Sequence, residues 1–250
     1  MRYEGCNKMI KEQFDPEGAE WFSSDGPEKD IVLATKIAFL RNLPEYPFPT
    51  RAKTIQLRRV SKRIKEALMP LYAFNSFPLN KIDESEKTFL TERLILNPYT
   101  PIFRSSEILI FPDEQTVFLT NRSEHLVTLS FISGFQPYPV FELTKRKIDE
   151  LETYLNFAYS EQWGYLTSSP FTMGCGLNIS YFLHLWGLAN VGELDKLESE
   201  IKNKFRIMGF FGYSYEVVGY LFKFITIRNF GISEEEIVND SRAGIKHIIK

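Results

Sequence analysis

Cysteine, histidine and long apolar runs are what this 250-residue sequence has least of. Only Cys6 and Cys175 occur, so neither a disulfide framework nor a four-thiolate zinc site can be built. The three histidines, His125, His184 and His247, are too scattered to form a metal site by spacing. A lone histidine in apolar surroundings, such as His184, is first of all a hydrogen-bonded core residue. The most apolar stretch, Leu177 to Val191, is interrupted by Asn178, Ser180, His184 and Asn190 and is too short to cross a bilayer. The N-terminal Met-Arg-Tyr-Glu-Gly-Cys has no signal-peptide core. The expectation is a reduced, cytoplasmic protein with no membrane partner, in which the Asn-x-Ser triplets at Asn121, Asn178 and Asn239 stay unglycosylated. An excess of one charge is missing as well: 30 basic against 32 acidic side chains leave −2, which gives no global pull toward nucleic acid. There is no Walker loop, His-Glu-x-x-His or Gly-x-Ser-x-Gly. Gly174-Cys175-Gly176 is half of a dinucleotide fingerprint, with Ile179 where the third glycine belongs.

What is abundant is core. Hydrophobic residues make up 44% of the chain and 22 are Phe; a chain of this length buries roughly 70–75% of its unfolded surface. Residues 1–19 read as a loosely ordered lead-in and residues 20–250 as one domain, with apolar periodicity setting in at Ile31. Residues 54–69 form a basic helix with Ile55, Val60, Ile64 and Leu68 on one face. Its cations read either as a solvated face or as a patch for an acidic partner or phosphate backbone. Residues 107–120 and 126–133 read as an antiparallel meander turning at Pro112-Asp113-Glu114, and 177–185 and 205–211 as further strands. Thr144 is a candidate cap for a helix over 145–161, with Ile148, Leu151, Leu155 and Ala158 on one face. Ser233 and Glu236 form a capping box for a helix over 234–249. Helices interspersed with antiparallel strands predict an α+β fold, an antiparallel sheet flanked by helices.

The order of several uncommon segments resembles the ATP:guanido phosphotransferases, the phosphagen kinases, and most closely their bacterial branch, the protein-arginine kinases. The likeness runs over about residues 20–249. Gly26-Pro27-Glu28-Lys29-Asp30-Ile31-Val32-Leu33 stands for the family's Gly-Pro-x-x-Asp-Ile-Val-Leu lead-in. Further on come Arg41-Asn42-Leu43, Thr91-Glu92-Arg93, Glu124-His125-Leu126, Gly164-Tyr165-Leu166-Thr167 and Gly231-Ile232-Ser233-Glu234. The resemblance implies a glutamine-synthetase-like catalytic domain with a cleft for ATP-magnesium and a guanidino group.

The same resemblance locates what has been replaced. The paired arginines of the family's Ser-Ser-Arg-x-Arg fall on Lys36 and Ala38, and the arginine after Asp-His-Leu falls on Val127. Two further arginines fall on Asn178 and Met208, and the nucleotide-contacting histidine falls on Leu94. The carboxylates of Asn-Glu-Glu-Asp-His fall on Arg122, Ser123 and Glu124 ahead of His125; a second substrate glutamate falls on Tyr213, and the reactive cysteine on Ser169. Lys36, with Arg41 and Arg122 near it in sequence, is the remaining cation, and Arg206 lies two residues from Met208 along the same strand. Phosphoryl transfer depends on positioned charge: deleting one charge donor costs ~10²–10³ in rate and one transition-state arginine ~10³–10⁵.

These positions therefore read as a vestigial nucleotide and guanidine pocket with no catalytic residue, no bound nucleotide and no magnesium. The aromatics from Phe205 to Phe224 read as filling the vacated cleft or as a patch for a partner. The expected role is a binding or regulatory partner of an active protein-arginine kinase or of its quality-control machinery, or a homo-oligomer. The rival is a divergent active kinase using ATP and magnesium through Lys36, Arg41, Arg122 or Arg206. A nucleic-acid binder is the least favoured reading.

Overall fold

The computed structural model describes residues 10–14, 24–97, 100–112, 114–210 and 217–250. Its frame is an eight-stranded sheet in which every neighbouring pair is antiparallel. In chain order the strands are β1 (Val32–Arg41), β2 (Asn75–Pro78), β3 (Glu107–Ile110), β4 (Thr116–Thr120) and β5 (Leu126–Ser133). After the small β6–β7 hairpin (Tyr159–Ser160 and Gly164–Tyr165) come β8 (Leu177–His184), β9 (Phe205–Gly209) and β10 (Leu221–Thr226). The spatial order is β2-β3-β4-β5-β1-β8-β10-β9. The α+β expectation holds, and each of the four predicted strand segments contributes to this sheet, with 107–120 divided between β3 and β4 and 205–211 giving β9 up to Gly209, Phe211 lying outside the described residues. The predicted turn residue Asp113 lies outside the described residues.

Among the described residues six α-helices accompany the sheet: α1 (Thr54–Leu68), α2 (Glu84–Glu92), α3 (Pro137–Glu152), α4 (Trp186–Asn190), α5 (Leu194–Ile201) and α6 (Glu234–Ile249). Period-two alternation splits the sheet's side chains between two cores. On one face Ile37, Phe39, Phe118, Ile179, Tyr181 and Phe224 meet α1, α3, α5 and α6. On the other, Ala34, Ala38, Val127, Leu129 and Phe182 meet Leu90 of α2 and the segment Leu94–Leu96. Within the stretch read as a lead-in, Ile10 and Phe14 are buried in this second core, where Ile10 N donates to the Glu86 carboxylate at 2.8 Å.

Three readings need correction. The helix placed at 145–161 is α3, starting at Pro137 and ending at Glu152. Proline is preorganised for the first helical turn, so it starts the helix; Thr144 is interior, with its hydroxyl donating to Val140 O at 2.6 Å. Leu155 and Ala158 are still buried, but in the extended chain beyond the helix. On α1, Ile55 is exposed and Leu57 takes its place in the core. Its basic face is partly compensated, with Lys62 to Glu66 at 3.6 Å, Arg63 to Glu45 at 3.6 Å and Lys65 to Glu107 at 2.6 Å. Strands β1 and β2 and helix α2 were not read from the sequence at all.

The capping box of α6 forms as expected: Ser233 Oγ accepts from Glu236 N at 3.2 Å and Glu236 Oε2 accepts from Ser233 N at 2.6 Å. Ser233→Ala is expected to lower the unfolding free energy by about 1 kcal/mol, read as a shifted urea midpoint with unchanged slope.

Candidate functional site

The sheet brings most of the predicted pocket positions onto one face. Lys36 and Ala38 alternate on β1; Asn178 of β8 is directly opposite Ala38, and Val127 of β5 opposite Leu40. Met208 of β9 faces Lys223 of β10, which faces Phe182 of β8. Directly opposed residues point to the same side, so all belong to one surface. Leu94 closes over it from the end of α2, and Ser123, Glu124 and His125 form the turn between β4 and β5. Tyr213 lies outside the described residues.

The cation that remains is held by the protein itself. Lys36 Nζ donates to Leu94 O at 2.6 Å and lies 5.2 Å from the Phe131 ring centroid. Burial first, and the nearby Lys223 ammonium second, hold its pKa well below the usual lysine value. Leu94 is the left-handed residue that ends α2, with φ +61°. Leu94 N donates to Thr91 O at 2.9 Å and Ile95 N to Leu90 O at 2.9 Å, the Schellman pattern in which glycine is usual. A leucine there carries ~1–2 kcal/mol of backbone strain. Its side chain is buried in the second core, and its carbonyl receives the Lys36 ammonium. The space left beside Lys36, Leu94, Phe182 and Phe210 is about 30 Å³, room for a water at most.

Next to it lies a recess of about 210 Å³ bounded by Asn178, Met208, Asn97, Ser169, Arg206 and Lys223, with no carboxylate in its described lining. Arg206 rests 4.9 Å from the Phe171 ring centroid. Lys223 was missed by sequence reasoning; it is the polar residue of the alternating Leu221-Phe222-Lys223-Phe224, a pattern that puts it on the Met208 side of β10. Burial lowers its pKa to about 8.

Glu124 and His125 are tied into the backbone. The Glu124 carboxylate accepts from Asn42 Nδ2 at 2.5 Å, Ser168 N at 3.0 Å and Ser168 Oγ at 2.8 Å. Burial nevertheless raises its pKa. His125 Nδ1 accepts from Leu43 N at 3.0 Å, which leaves the proton on Nε2, facing Pro47 O at 3.0 Å. Burial pushes the imidazole pKa down to about 4. Every strong acceptor or donor of this pair is thus engaged in holding the β4–β5 turn to residues 42–47 and 168. Half-buried Ser123 presents its carbonyl to Ser168 Oγ at 2.7 Å.

Arg41 and Arg122 are not beside Lys36. Arg41 is an odd-numbered partner of Ile37 and Phe39 on β1, so its side chain enters the helix-covered core, where it is 1% exposed. Its guanidinium stacks 3.4 Å from the Tyr165 ring centroid, and Nη1 donates to Cys175 O at 3.0 Å. Glu152 of α3 and Glu234 of α6 supply counter-charges at 3.5 and 3.8 Å. Gly174-Cys175-Gly176 therefore serves this arginine: a Cβ on Gly176, at φ +60°, would lie 2.6 Å from Arg41 Nη1 and 2.7 Å from Leu40 O. The Cys175 thiol donates to Ile232 O, and burial raises its pKa to about 11. Arg122, 3% exposed, turns toward Asn97 and Thr100, donating from Nη2 to Thr100 O at 2.8 Å. Among the described residues no three His, Cys, Asp or Glu side chains cluster to hold a metal ion, and no helix is long and apolar enough to cross a membrane.

The family model described as ATP:guanido phosphotransferase, C-terminal catalytic domain, matches residues 57–250. The chain belongs to this family. Among curated relatives it is 27% identical over 239 residues to a protein-arginine kinase of Brevibacillus brevis, covering 93% of this chain and 67% of that protein. It is 28% identical over 245 residues to one from Halothermothrix orenii, covering 96% and 70%. The fold is also that of solved guanidino kinases. The duplicated taurocyamine kinase from Schistosoma mansoni, with bound transition state analog components, superposes with a TM-score of 0.79 at 18% identity. That match covers 95% of this chain but 35% of the other. Lombricine kinase superposes with a TM-score of 0.76 at 18% identity, covering 94% and 69%. The chain thus spans about two thirds of the length of its curated relatives and about a third of the duplicated kinase.

Two expectations follow. Arg41→Ala leaves Glu152 and Glu234 without their shared cation and is expected to cost about 3–5 kcal/mol of stability, measured by denaturant unfolding. Because the His125 pKa falls from 6.5 unfolded to about 4 folded, the unfolded chain binds the extra proton between those values. Stability conferred by a neutral His125 is complete above pH 6.5 and is lost as pH falls toward 4, by up to about 3 kcal/mol. Glu124, with a raised pKa, acts in the opposite sense, so the wild-type curve is to be compared with that of His125→Asn, which removes the histidine contribution alone.

Proposed function

We propose that this chain is a guanidino-kinase domain that no longer transfers phosphoryl groups and works by binding, as a regulatory partner of an active protein-arginine kinase or of its associated quality-control machinery. The observation that carries this reading is the bond between Lys36 Nζ and Leu94 O, with Leu94 and Leu96 packed in the same core as Ala38 and Val127. By the family resemblance these positions supply two phosphate-binding arginines, a third beside them and the nucleotide histidine; here Lys36 and Leu94 border a space of only about 30 Å³, and Ala38 and Val127 are packed in the same core as Leu94. A triphosphate entering there would have to break the lysine's hydrogen bond and displace buried leucines. Desolvating its charges without paired cations costs several kcal/mol per ion. The locked Glu124 and the serine at position 123 leave no free carboxylate in the turn to orient a guanidinium. The regulatory role itself is drawn from the family's company.

One arrangement favours the rival reading, a divergent active kinase: Arg206 and Lys223 border the recess of about 210 Å³ without a carboxylate. ATP with magnesium separates the two. The non-catalytic reading expects no change in melting temperature at millimolar ATP-magnesium and no phosphoarginine on an arginine-rich acceptor protein incubated with labelled ATP. Ligand at about 100 times its Kd would add about 2.7 kcal/mol. Phosphoarginine formation lost in Arg206→Ala or Lys223→Ala would establish the kinase instead.

A further inference from the structure

A cavity of about 650 Å³ lies elsewhere, between α2 and residues 96–97 and 100–102, with Arg122 in its wall. Arg122 is 3% exposed and has no carboxylate partner among the described residues. Nη2 is satisfied by the carbonyls of Thr100 at 2.8 Å and Asn97 at 3.4 Å, while Nη1, with its two N–H groups, is buried with no acceptor. Burial alone lowers its pKa to about 10, with no opposing charge acting on it. A buried guanidinium without a counter-ion is a strongly unfavourable arrangement, and unsatisfied N–H groups add to it. The other cation of the cavity, Lys87, is neutralised by Glu84 at 2.5 Å, and the fourth charged residue of the lining is the exposed Glu92. The same position is a glutamate in the family motif that the β4–β5 turn resembles, so the sign of the charge at this wall is reversed.

We infer that the cavity between α2 and residues 96–97 and 100–102 is a binding site for a small oxyanion, a carboxylate or a phosphate, whose counter-charge is Arg122. An oxyanion in this space would supply the missing counter-charge, and a turn of the guanidinium that brings the sealed Nη1 to the cavity would satisfy its N–H groups too, the charge-assisted geometry for which arginine is suited. Thr88, Thr91 and Asn97 line the same space, the two threonine hydroxyls donating to Glu84 O at 2.9 Å and Lys87 O at 2.8 Å. The inference stands apart from the question of phosphoryl transfer, because Arg122 does not border the recess next to Met208.

The test is a thermal-shift and calorimetric titration of the whole chain with inorganic phosphate and, separately, with succinate, each at constant ionic strength against chloride. The inference expects saturable stabilisation by at least one of the two, and the anion that acts identifies the class. In Arg122→Gln the affinity should fall at least tenfold, while the melting temperature without anion rises because a buried charge has been removed. Arg122→Lys, which keeps the charge but not the fork, should bind several-fold more weakly and serves if the glutamine variant fails to fold. Arg206→Gln should bind as the wild type does. No saturable response to either anion overturns the inference. So does a response unchanged in both Arg122 variants, or one abolished by Arg206→Gln, which would place the anion in the other recess.

Discussion

A strand buried on both sides must divide its side chains between two cores, and β1 is that strand here, flanked by β5 and β8 at the middle of the sheet. Its even positions, Ala34, Lys36, Ala38 and Leu40, face the surface that carries Val127, Asn178 and Leu94; its odd positions, Thr35, Ile37, Phe39 and Arg41, face the helices. Everything chemical in the domain is sorted by that parity. Lys36 ends against a backbone carbonyl on one side, and Arg41, five residues on, becomes the charged rivet joining β1 to α3, α6 and the Gly174–Gly176 turn on the other. Neither cation can be exchanged for the other by a local rearrangement, because the sheet stands between them.

The same sorting explains which parts of the fold were legible. The capping box at Ser233 and the meander from 107 to 133 depend on neighbours a few residues apart, and they formed as read. Strand β1 was not read because a strand buried on both faces lacks clean alternation, and Val32–Arg41 interrupts its apolar residues with a lysine on one face and an arginine on the other. The start of α3 was misplaced because a threonine before a charged, apolar-periodic run looks like a cap, whereas Pro137 had already begun the helix. In the site, resemblance located Lys36, Ala38, Leu94, Val127, Asn178 and Met208, and the sheet does bring these together. Arg41 and Arg122 were grouped with them by nearness in sequence, and nearness along a strand says nothing about side until register is known. Lys223 was invisible for the opposite reason, being far away in sequence and close across β8.

The Glu124–His125 turn has structural work of its own. Asn42 bridges both residues, its amide nitrogen donating to Glu124 and its oxygen accepting from His125 N at 2.9 Å. Ser168 completes the carboxylate's partners from the loop that precedes Ser169. These are the interactions of a clasp: they join the β4–β5 turn, the end of β1 and the 166–172 loop, and they give Glu124 and His125 structural reasons to remain whatever the fate of the cleft.

The left-handed Leu94 has a consequence for how this domain can change. Its carbonyl and Lys36 are a matched pair, and its side chain fills volume beside Ala38. Putting a polar ring back at 94 while Ala38 and Val127 remain would bury that ring among apolar neighbours, and putting arginine at 38 while Leu94 remains would bury a guanidinium against leucine. Each single step toward an open cationic cleft passes through a less stable protein; only concerted replacement avoids it. The packing around one backbone turn therefore ties positions 38, 94 and 127 into a unit whose members can be replaced at low cost only together.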